Sequence, residues 1–287
     1  MEISKACICC GSTILKKSPA VLMPFIAYRV FDWDAVEITD DWGLYSIKNG
    51  FAYTVCNSIQ CGVCGLLFLD MRFNDNEMSK LYDGYCGSAY TEIRQKYEPT
   101  FKERDGGLNT GSGYVGDIER FLTPYLEFPV SILDWGGLSG HNTPFKNRNK
   151  LFHIYDLSNK PVIYGAKEVD KTTANNTKYD LIVCANVLEH IPYPLELILD
   201  IKKSMTKDTV LYIEIPCEDI IETGADLYNK KKYWHEHINF FTEGSLDILL
   251  SGCGLRIIEL KILDGREGPS NAAFLYRIAC RLEEVNK

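Results

Sequence analysis

Two short cysteine motifs stand near the amino terminus, and their spacing is typical of metal-binding turns. The first is Cys7-Ile8-Cys9-Cys10-Gly11, and the second is Cys61-Gly62-Val63-Cys64-Gly65. In each motif, a glycine lets the turn close with backbone N–H groups facing the two thiolates. Two such turns predict a closed four-sulfur site for a structural Zn²⁺ ion. Its ligands would be Cys7, Cys10, Cys61 and Cys64. The alternative is a set of incidental cysteines, and Cys9 and Cys56 are spare in either case.

Two of the five histidines flank a carboxylate in the segment His235-Glu236-His237, which follows Trp234. A neutral imidazole can accept a proton near pH 7, and a neighbouring carboxylate can orient the ring. The alternative is a histidine-rich loop that packs with Trp234. A catalytic zinc ion is disfavoured, because histidines at positions i and i+2 point apart on a helix and no third ligand is evident at motif spacing.

An apolar run that begins at Ser131 leads into a glycine-rich loop, as a buried strand does before a nucleotide-like cofactor. The loop residues are Asp134, Gly136, Gly137 and Gly140. No Gly-Lys-Ser/Thr follows, so a P-loop is excluded. The next strand ends at Asp156, sixteen residues beyond Gly140, which is the spacing expected for a carboxylate that accepts ribose hydroxyls. An ordinary turn acid is the alternative for Asp156.

Strands and helices alternate around these residues, which predicts right-handed crossovers and a doubly wound α/β sheet. The strand-like runs are 152–156, 178–186 and 209–216, and the helical patterns are 115–128, 194–204 and 245–252. Two final runs, 255–260 and 272–278, are joined only by a loop and predict an antiparallel edge hairpin. The polar segment 218–232 is interpreted as a lid or an active-site loop.

Three units are expected along the chain. Residues 1–72 would form the zinc-binding module, residues 73–114 a helical, tyrosine-rich linker, and residues 115–287 the main domain. The linker tyrosines Tyr82 and Tyr85, with Tyr90 beyond them, would either pack the domains together or line a substrate pocket.

Composition narrows the classes of partner. The chain of 287 residues is 46% hydrophobic and has a formal charge of -8, which favours a globular protein and argues against nucleic acid as the main partner. The first residues do not combine a basic stretch with an apolar segment behind it, so the sequence does not indicate a signal peptide. No apolar run is long enough to span a membrane. Eleven cysteines without an export signal favour metal binding or reduced thiols, and the cytoplasm is the expected location. The sequence does not indicate an oligomeric state.

Taken together, these features resemble a class I S-adenosylmethionine-dependent methyltransferase. The resemblance covers roughly residues 105–283 and rests on the Asp134 loop, Asp156, the segment Val187-Leu188-Glu189-His190 and the closing hairpin. The cysteine motifs, His235-Glu236-His237 and Phe240 make the chain similar to zinc-containing sugar methyltransferases, of which nucleotide-sugar C-methyltransferases are the best described. The resemblance implies a seven-stranded Rossmann-like sheet and S-adenosylmethionine as cofactor. It also implies a small saccharide-type acceptor, in surface-polysaccharide or secondary-metabolite biosynthesis.

The resemblance also implies roles for individual residues. Asp134, Gly136, Gly137 and Gly140 would hold the methionine part of the cofactor. Asp156 would bind the ribose and Leu157 would lie beside the adenine, while Asn186 and Val187 would pass under the sulfonium. His190, Glu236 and His237 would face the acceptor. We expect His237 to be the base and Glu236 to orient it or to bind substrate, with His190 as the second candidate base.

Two departures from the family pattern bear on the function. Leu138 occupies a position where the usual loop has a glycine, and Trp234 replaces the tyrosine of Tyr-His-Glu-His. The family also carries a further domain, which we expect to be missing after Lys287. The leucine bears on cofactor affinity or loop shape, whereas the tryptophan and the missing domain favour methylation of oxygen or nitrogen over carbon. The alternatives are a zinc-containing adaptor that binds cofactor without turnover, and an NAD-dependent oxidoreductase, which the short loop and terminal hairpin disfavour.

Overall fold

The computed structural model describes residues 1–42, 50–85, 87–99, 101, 114–264 and 274–283. Its amino-terminal part combines short strands with helices. The strands are β1 (Glu2–Ile3), β2 (Leu15–Leu22), β3 (Val36–Ile38), β4 (Gly50–Ala52), β5 (Val55–Cys61), β6 (Leu67–Leu69) and β7 (Met71–Arg72). The helices are α1 (Pro24–Phe31), α2 (Asp75–Tyr82) and α3 (Ser88–Tyr97). Asn74 caps α2 by accepting a hydrogen bond from the Glu77 backbone N–H, and Glu77 returns the contact.

The carboxyl-terminal part alternates strands and helices, as predicted. The strands are β8 (Val130–Trp135), β9 (Asn149–Tyr155), β10 (Lys167–Glu168), β11 (Leu181–Ala185), β12 (Val210–Cys217), β13 (Tyr233–Trp234), β14 (Asn239–Phe240), β15 (Leu255–Asp264) and β16 (Phe274–Leu282). The helices are α4 (Tyr114–Leu122), α5 (Lys171–Asn176), α6 (Pro194–Lys202), α7 (Asp219–Glu222), α8 (Leu227–Lys230) and α9 (Glu243–Gly252).

Seven strands form the large sheet in the order β10-β9-β8-β11-β12-β16-β15. The first five are parallel, and β16 is antiparallel to both of its neighbours. The predicted seven-stranded sheet with an antiparallel terminal hairpin is therefore confirmed. The central strand is β11, and its neighbours β8 and β12 are buried along their whole length. Because these strands are parallel, the loops that follow them lie at the same edge of the sheet.

A five-stranded sheet joins the two parts of the chain, in the order β13-β2-β5-β6-β14. Both of its edge strands come from residues 233–240, while its three inner strands come from the first 72 residues. In a flat sheet the edges would be roughly 19 Å apart. The rings of Trp234 and Phe240, one from each edge, lie 5.2 Å apart, so the sheet is strongly curled. The segment that carries His235 and His237 connects its two edges.

The helix predicted over residues 115–128 ends earlier than expected. Helix α4 stops at Leu122, and a single 3-10 turn over Thr123–Tyr125 follows it. Pro124 explains the difference, because it has no N–H to donate to the preceding turn. Residues 102–113 of the predicted linker lie outside the described residues. No helix in the described part of the chain is both long and apolar enough to cross a membrane.

Candidate active site

The four cysteines predicted to bind metal lie together. One sulfur atom from each of Cys7, Cys10, Cys61 and Cys64 is within 4.8 Å of the others. Cys7 Sγ is 3.5 Å from Cys64 Sγ, and Cys10 Sγ is 3.6 Å from Cys61 Sγ. A tetrahedron with Zn–S bonds of about 2.3 Å has sulfur separations of roughly 3.8 Å, so the four side chains fit a zinc ion.

The surroundings of this sulfur cluster connect it to the carboxyl-terminal part. Backbone N–H groups of Val63 and Cys64 face Cys61 Sγ at 3.4 and 3.5 Å, as expected for a metal-binding turn. The Thr242 hydroxyl, at the start of α9, donates to the Cys64 carbonyl at 3.2 Å. Cys9 lies outside the cluster and donates to a backbone carbonyl of α9 at 3.0 Å. The cluster thus holds the start of α9, directly after β14.

Asp134 lies at the end of β8, where the chain turns into the glycine-rich loop. Its side chain is buried and accepts a hydrogen bond from the Thr143 hydroxyl. Burial raises the pKa of Asp134 to about 7; the Thr143 hydrogen bond opposes this shift and the charge of Asp156 adds to it. A Cβ atom at Gly137 would lie 2.4 Å from Asp134 Cγ, so only glycine fits there.

Leu138 stands in the loop with φ of 55°, in the left-handed region where a glycine is usual. Its backbone N–H donates to Asp156 Oδ2 at 2.8 Å, and the Ser158 N–H donates to Asp156 Oδ1 at 2.7 Å. Leu138 therefore keeps the backbone conformation that a glycine would give. The Asp156 carboxylate is fixed by two backbone groups, and each oxygen retains a lone pair for a ligand.

The other residues predicted to bind the cofactor divide into two groups. Leu157, Asn186 and Val187 line the same cavity as the Asp134 loop. Asn186 has φ of 54°, and its N–H donates to the Glu214 carbonyl at 2.8 Å. Gly140 is not part of the cavity wall. A Cβ atom there would lie 2.5 Å from Ile154 Cδ1, so this glycine lets the loop pack closely on the sheet behind it.

Glu189, His190 and His237 meet at the other end of this cavity. His190 Nδ1 is 3.0 Å from the backbone carbonyl oxygen of Glu236, and His237 Nδ1 is hydrogen-bonded to the carboxylate of Glu218. The two imidazole rings lie edge to face, with their centroids 4.7 Å apart. Both rings are thus held at Nδ1 by an oxygen acceptor.

Burial and neighbouring charges shift the pKa values of these three side chains in different directions. Burial lowers the pKa of His190 to about 3, and the charge of His237 adds to the shift. Burial also lowers the pKa of His237, but its hydrogen bond with Glu218 and the charges of Glu189 and Glu218 outweigh it and raise the pKa overall. Burial raises the pKa of Glu189 to about 7.

Glu236 does not orient His237, contrary to one of its two predicted roles. Its Oε1 atom accepts hydrogen bonds from Arg94 Nη1 at 2.6 Å and from the Tyr90 hydroxyl at 2.8 Å. The residue that orients His237 is Glu218, which follows the carboxyl end of β12. Glu218 lies in the segment 218–232, predicted to be a lid or an active-site loop, and its place directly after a buried strand is the sequence signal that could have identified it.

Helix α3 fixes the segment that carries His237. Arg94 bonds both Glu236 and Glu98, and Glu98 is in turn hydrogen-bonded to His235 Nε2. The ring of His235 stacks on Phe25 at 6.3 Å. His235 therefore supports the segment and does not line the cavity. Nothing in the sequence around Arg94 indicated this role.

A fully buried arginine at the end of β7 joins the two histidine-bearing stretches. Arg72 Nη1 donates to Asn239 Oδ1 at 2.9 Å and to the Pro192 carbonyl at 3.1 Å. The Asn239 amide donates to the Leu188 and Ile191 carbonyls. Backbone N–H groups of residues 238 and 239 both donate to the Glu189 carbonyl. Residues 188–192 and 237–239 are therefore locked together, which sets the distance between His190 and His237.

A single cavity of about 680 Å³ contains both the glycine-rich loop and the histidine pair. Tyr82 and Tyr85 form part of its wall, whereas Tyr90 does not. The structure thus brings together, in one cavity, the cofactor residues other than Gly140 and the three residues predicted to face an acceptor: His190, Glu236 and His237.

The comparison with protein families identifies the family of the chain. A family model described as a methyltransferase domain matches residues 103–260, which is more than half of the chain. The chain belongs to this methyltransferase family. The protein is therefore an S-adenosylmethionine-dependent methyltransferase. No curated protein matches the methyltransferase chain.

Solved structures resemble this methyltransferase at low sequence identity. One is a 1,6-didemethyltoxoflavin-N1-methyltransferase from Burkholderia thailandensis with bound 1,6-didemethyltoxoflavin and S-adenosylhomocysteine. It is 13% identical, with a TM-score of 0.49 over 76% of this chain and 95% of its own. Another is the magnesium protoporphyrin IX methyltransferase of Synechocystis, which is 13% identical, with a TM-score of 0.45 over 67% of this chain and 99% of its own. A glycopeptide N-methyltransferase is 10% identical, with a TM-score of 0.44 over 61% of this chain and 97% of its own.

Proposed function

We propose that this methyltransferase acts on an oxygen or nitrogen atom of a sugar or sugar-linked acceptor, in surface-polysaccharide or secondary-metabolite biosynthesis. The observation that supports the proposal is the shared cavity, with the glycine-rich loop at one end and His190 and His237 at the other. Methyl transfer is an in-line displacement, so the protein has to align the acceptor and provide for loss of a proton. Carbon methylation is less favoured, because forming a carbanion needs a stronger base.

The cofactor would occupy the end of the cavity near β8. The Asp134 carboxylate and the backbone of Gly136 and Gly137 would hold its methionine part, and Asp156 would accept the ribose hydroxyls. Leu157 would lie beside the adenine, and Asn186 and Val187 under the sulfonium. When bound, S-adenosylmethionine supplies an electrophilic methyl group.

His237 would accept the acceptor's proton. Its Nδ1 is hydrogen-bonded to Glu218, so the Nε2 atom carries the free lone pair. The Glu218 carboxylate would hold the ring in place and stabilise its protonated form. Glu236 lines the cavity but is paired with Arg94, which favours a role in binding substrate hydroxyls.

The charges around the cavity favour an acceptor without phosphate groups. Among the described lining residues, the one ammonium or guanidinium group belongs to Lys171, and it lies 2.5 Å from Asp200 Oδ2. Carboxylates such as Glu236 and the rings of Tyr82 and Tyr85 line the rest of the acceptor end. These groups suit hydroxyl and amine hydrogens and a ring face. We therefore favour a neutral or amino sugar over a nucleotide sugar, and a small molecule over nucleic acid.

The sulfur cluster would hold a structural zinc ion. Its four thiolates would complete the tetrahedral shell and leave no position for substrate. Through the contacts of Cys9 and Cys64 with α9, the metal site would fix the position of the segment before Thr242. In this proposal the amino-terminal 72 residues form a module that supports the acceptor end of the cavity.

Binding and turnover assays test the proposed function. Calorimetry should show binding of S-adenosylhomocysteine and none of NADH, and mass spectrometry should show methyl uptake by neutral or amino sugars. Binding of NADH alone would overturn the methyltransferase mechanism. Methylation confined to nucleotide sugars would overturn the proposed acceptor class. Cofactor binding without methyl uptake by any saccharide would favour the adaptor alternative.

A further inference from the structure

Glu189 is a buried carboxylate whose two oxygens have no hydrogen-bond partner among the described residues. Its side chain is 1% exposed, and it lines the cavity beside His190 and His237. A buried carboxylate that no hydrogen bond compensates destabilises a protein. Protonation would remove the charge but would still leave both oxygens without a partner. The position of Glu189 therefore indicates a bound cation.

The two neighbouring histidines present unprotonated nitrogens to the same place. A backbone carbonyl only accepts hydrogen bonds, so the Nδ1 atom of His190, which contacts the Glu236 carbonyl, must carry its proton. The Nδ1 atom of His237 donates to the Glu218 carboxylate in the same way. In its neutral form, each ring therefore keeps the lone pair of Nε2 free, and metal binding would displace any proton that His237 carries there. An imidazole fixed at one nitrogen by a carbonyl or carboxylate is the usual arrangement of a metal ligand.

We propose that Glu189, His190 and His237 bind one divalent transition-metal ion in the cavity. One potential ligand atom from each residue lies within 4.8 Å of the other two, and His190 Nε2 is 3.9 Å from Glu189 Oε1. Bonds of about 2.1 Å from each ligand to a central ion require only a small closure of this triangle. His235 is not part of this set, because its Nε2 atom is hydrogen-bonded to Glu98 and its ring does not line the cavity.

The donor atoms select the class of ion. Mg²⁺ and Ca²⁺ prefer oxygen ligands, whereas two imidazole nitrogens and one carboxylate suit Mn²⁺, Fe²⁺, Co²⁺ or Zn²⁺. Three protein ligands leave further coordination positions open on the cavity side. The thiolates of the sulfur cluster are softer ligands and favour zinc over Mn²⁺. Mn²⁺ is therefore the probe that distinguishes the two sites.

This inference rests on the proposed function and deepens it. An acceptor hydroxyl bound to the ion becomes more acidic and is held at a fixed place. The hydroxyl would release its proton to solvent water, and its oxygen would form a bond to the methyl carbon. The bond from that carbon to sulfur breaks, and its electron pair stays on sulfur, which leaves neutral S-adenosylhomocysteine. In the ion-loaded protein His237 acts as a ligand, and proton loss depends on the ion.

Titration with Mn²⁺ of protein loaded with one zinc ion per chain, which the thiolates bind preferentially, tests the inference, with electron paramagnetic resonance of the free Mn²⁺ as the readout. One Mn²⁺ per chain should bind, and Glu189→Gln and His237→Ala should each weaken binding by at least about tenfold. Glu222→Gln, an exposed acid outside the cavity, is the matched control and should bind normally. Absence of Mn²⁺ binding, or equal binding by Glu189→Gln and the unaltered protein, would overturn the site.

Calorimetry with S-adenosylhomocysteine separates this result from the proposed function. Glu189→Gln should bind this ligand with unchanged affinity, because Glu189 lies at the acceptor end. Methyl transfer to a sugar that proceeds equally with and without Mn²⁺ would refute the metal's role and leave the methyltransferase mechanism standing. Mn²⁺ binding without methyl uptake by any saccharide would refute the acceptor class and leave the metal site standing.

Discussion

At the proposed cofactor end of the cavity, the lining groups come mainly from residues 134–157, which form a strand, a loop and a second strand. At the acceptor end they come from distant stretches, including residues 82–85, 189–190 and 236–237. The first set is positioned by local backbone hydrogen bonds, such as that from Leu138 to Asp156. The second is positioned by buried side chains, notably Arg72 and Arg94. Cofactor binding and acceptor activation should therefore respond to different substitutions.

Among these substitutions, loss of the sulfur cluster should have the largest effect on methyl transfer. It should act through the acceptor end of the cavity only. Cys10→Ser should abolish zinc binding and methyl transfer, because zinc binding contributes directly to folding of such modules. Affinity for S-adenosylhomocysteine should persist, since the cofactor end does not depend on the cluster. Elemental analysis, turnover and calorimetry measure the three quantities. Cys56→Ser, outside the cluster, should keep its zinc. Loss of S-adenosylhomocysteine binding together with zinc would contradict the division between the two ends.

His237→Ala should lower methyl transfer by about a hundredfold or more, whether the imidazole acts as a base or as a metal ligand. Binding of S-adenosylhomocysteine should not change. His141→Ala, which alters an exposed histidine outside the cavity lining, is the control. Steady-state rates at saturating cofactor provide the measurement, and unchanged turnover would remove His237 from the mechanism.

Asp156→Ala should impair cofactor binding and leave the Glu189 cluster intact, the reverse of the effect of His237→Ala. We expect affinity for S-adenosylhomocysteine to fall by roughly tenfold to a hundredfold, which is the scale of hydrogen bonds to a charged group. Mn²⁺ binding should be retained, because Asp156 is not part of the Glu189 cluster. Calorimetry of Asp156→Ala beside Asp208→Asn, an exposed acid far from the loop, provides the comparison. Equal affinities would show that Asp156 is an ordinary turn acid.

Much of the cofactor end could be predicted from sequence, because its residues follow one another on a strand, a loop and a strand. The acceptor end could be predicted only in part. His190 and His237 were recognisable from their motifs, but Glu218, Arg72 and Arg94 act through contacts between segments far apart in the chain. Neither their spacing nor their neighbours revealed those contacts. The early end of α4, by contrast, is a local effect of Pro124. It could have been predicted from sequence, but the apolar pattern over residues 115–128 favoured a longer helix.

The stabilisation of the acceptor end by Glu98, which directly follows α3, should depend on pH. Burial opposes ionisation of Glu98, but His235 and Arg94 outweigh it and lower the pKa of Glu98 to about 2. The stabilisation is thus fully present above the ordinary glutamate pKa of 4.5 and is lost as the pH falls towards 2. Glu98→Gln should lower the free energy of unfolding by about 1–3 kcal/mol at pH 7.

The difference between Glu98→Gln and the unaltered protein should narrow between pH 4.5 and pH 3. Urea unfolding at several pH values measures it, with Glu92→Gln on the exposed face of the same helix as control. A difference that stays constant over this range would show that the ionised Glu98 does not support the segment around His235.

The smallest effect is expected for Leu138→Gly, which restores the family pattern. Leu138 already has a left-handed backbone and donates its N–H to Asp156, so affinity for S-adenosylhomocysteine should stay within about threefold. Relief of a left-handed conformation worth about 1–2 kcal/mol is offset by the entropy that glycine gains when unfolded. Calorimetry and thermal unfolding check both points. A large gain in affinity would show that Leu138 impairs the cofactor end.

The curled five-stranded sheet has a practical consequence for dissecting the chain. Its edge strands, β13 and β14, are supplied by residues 233–240, so a cut after residue 72 would leave β2 and β6 without their outer partners. The other fragment would carry two orphan strands with buried aromatic rings, Trp234 and Phe240. Unpaired strand edges promote association between molecules. Separately expressed halves should therefore aggregate, whereas co-expressed halves should be able to reassemble by strand exchange.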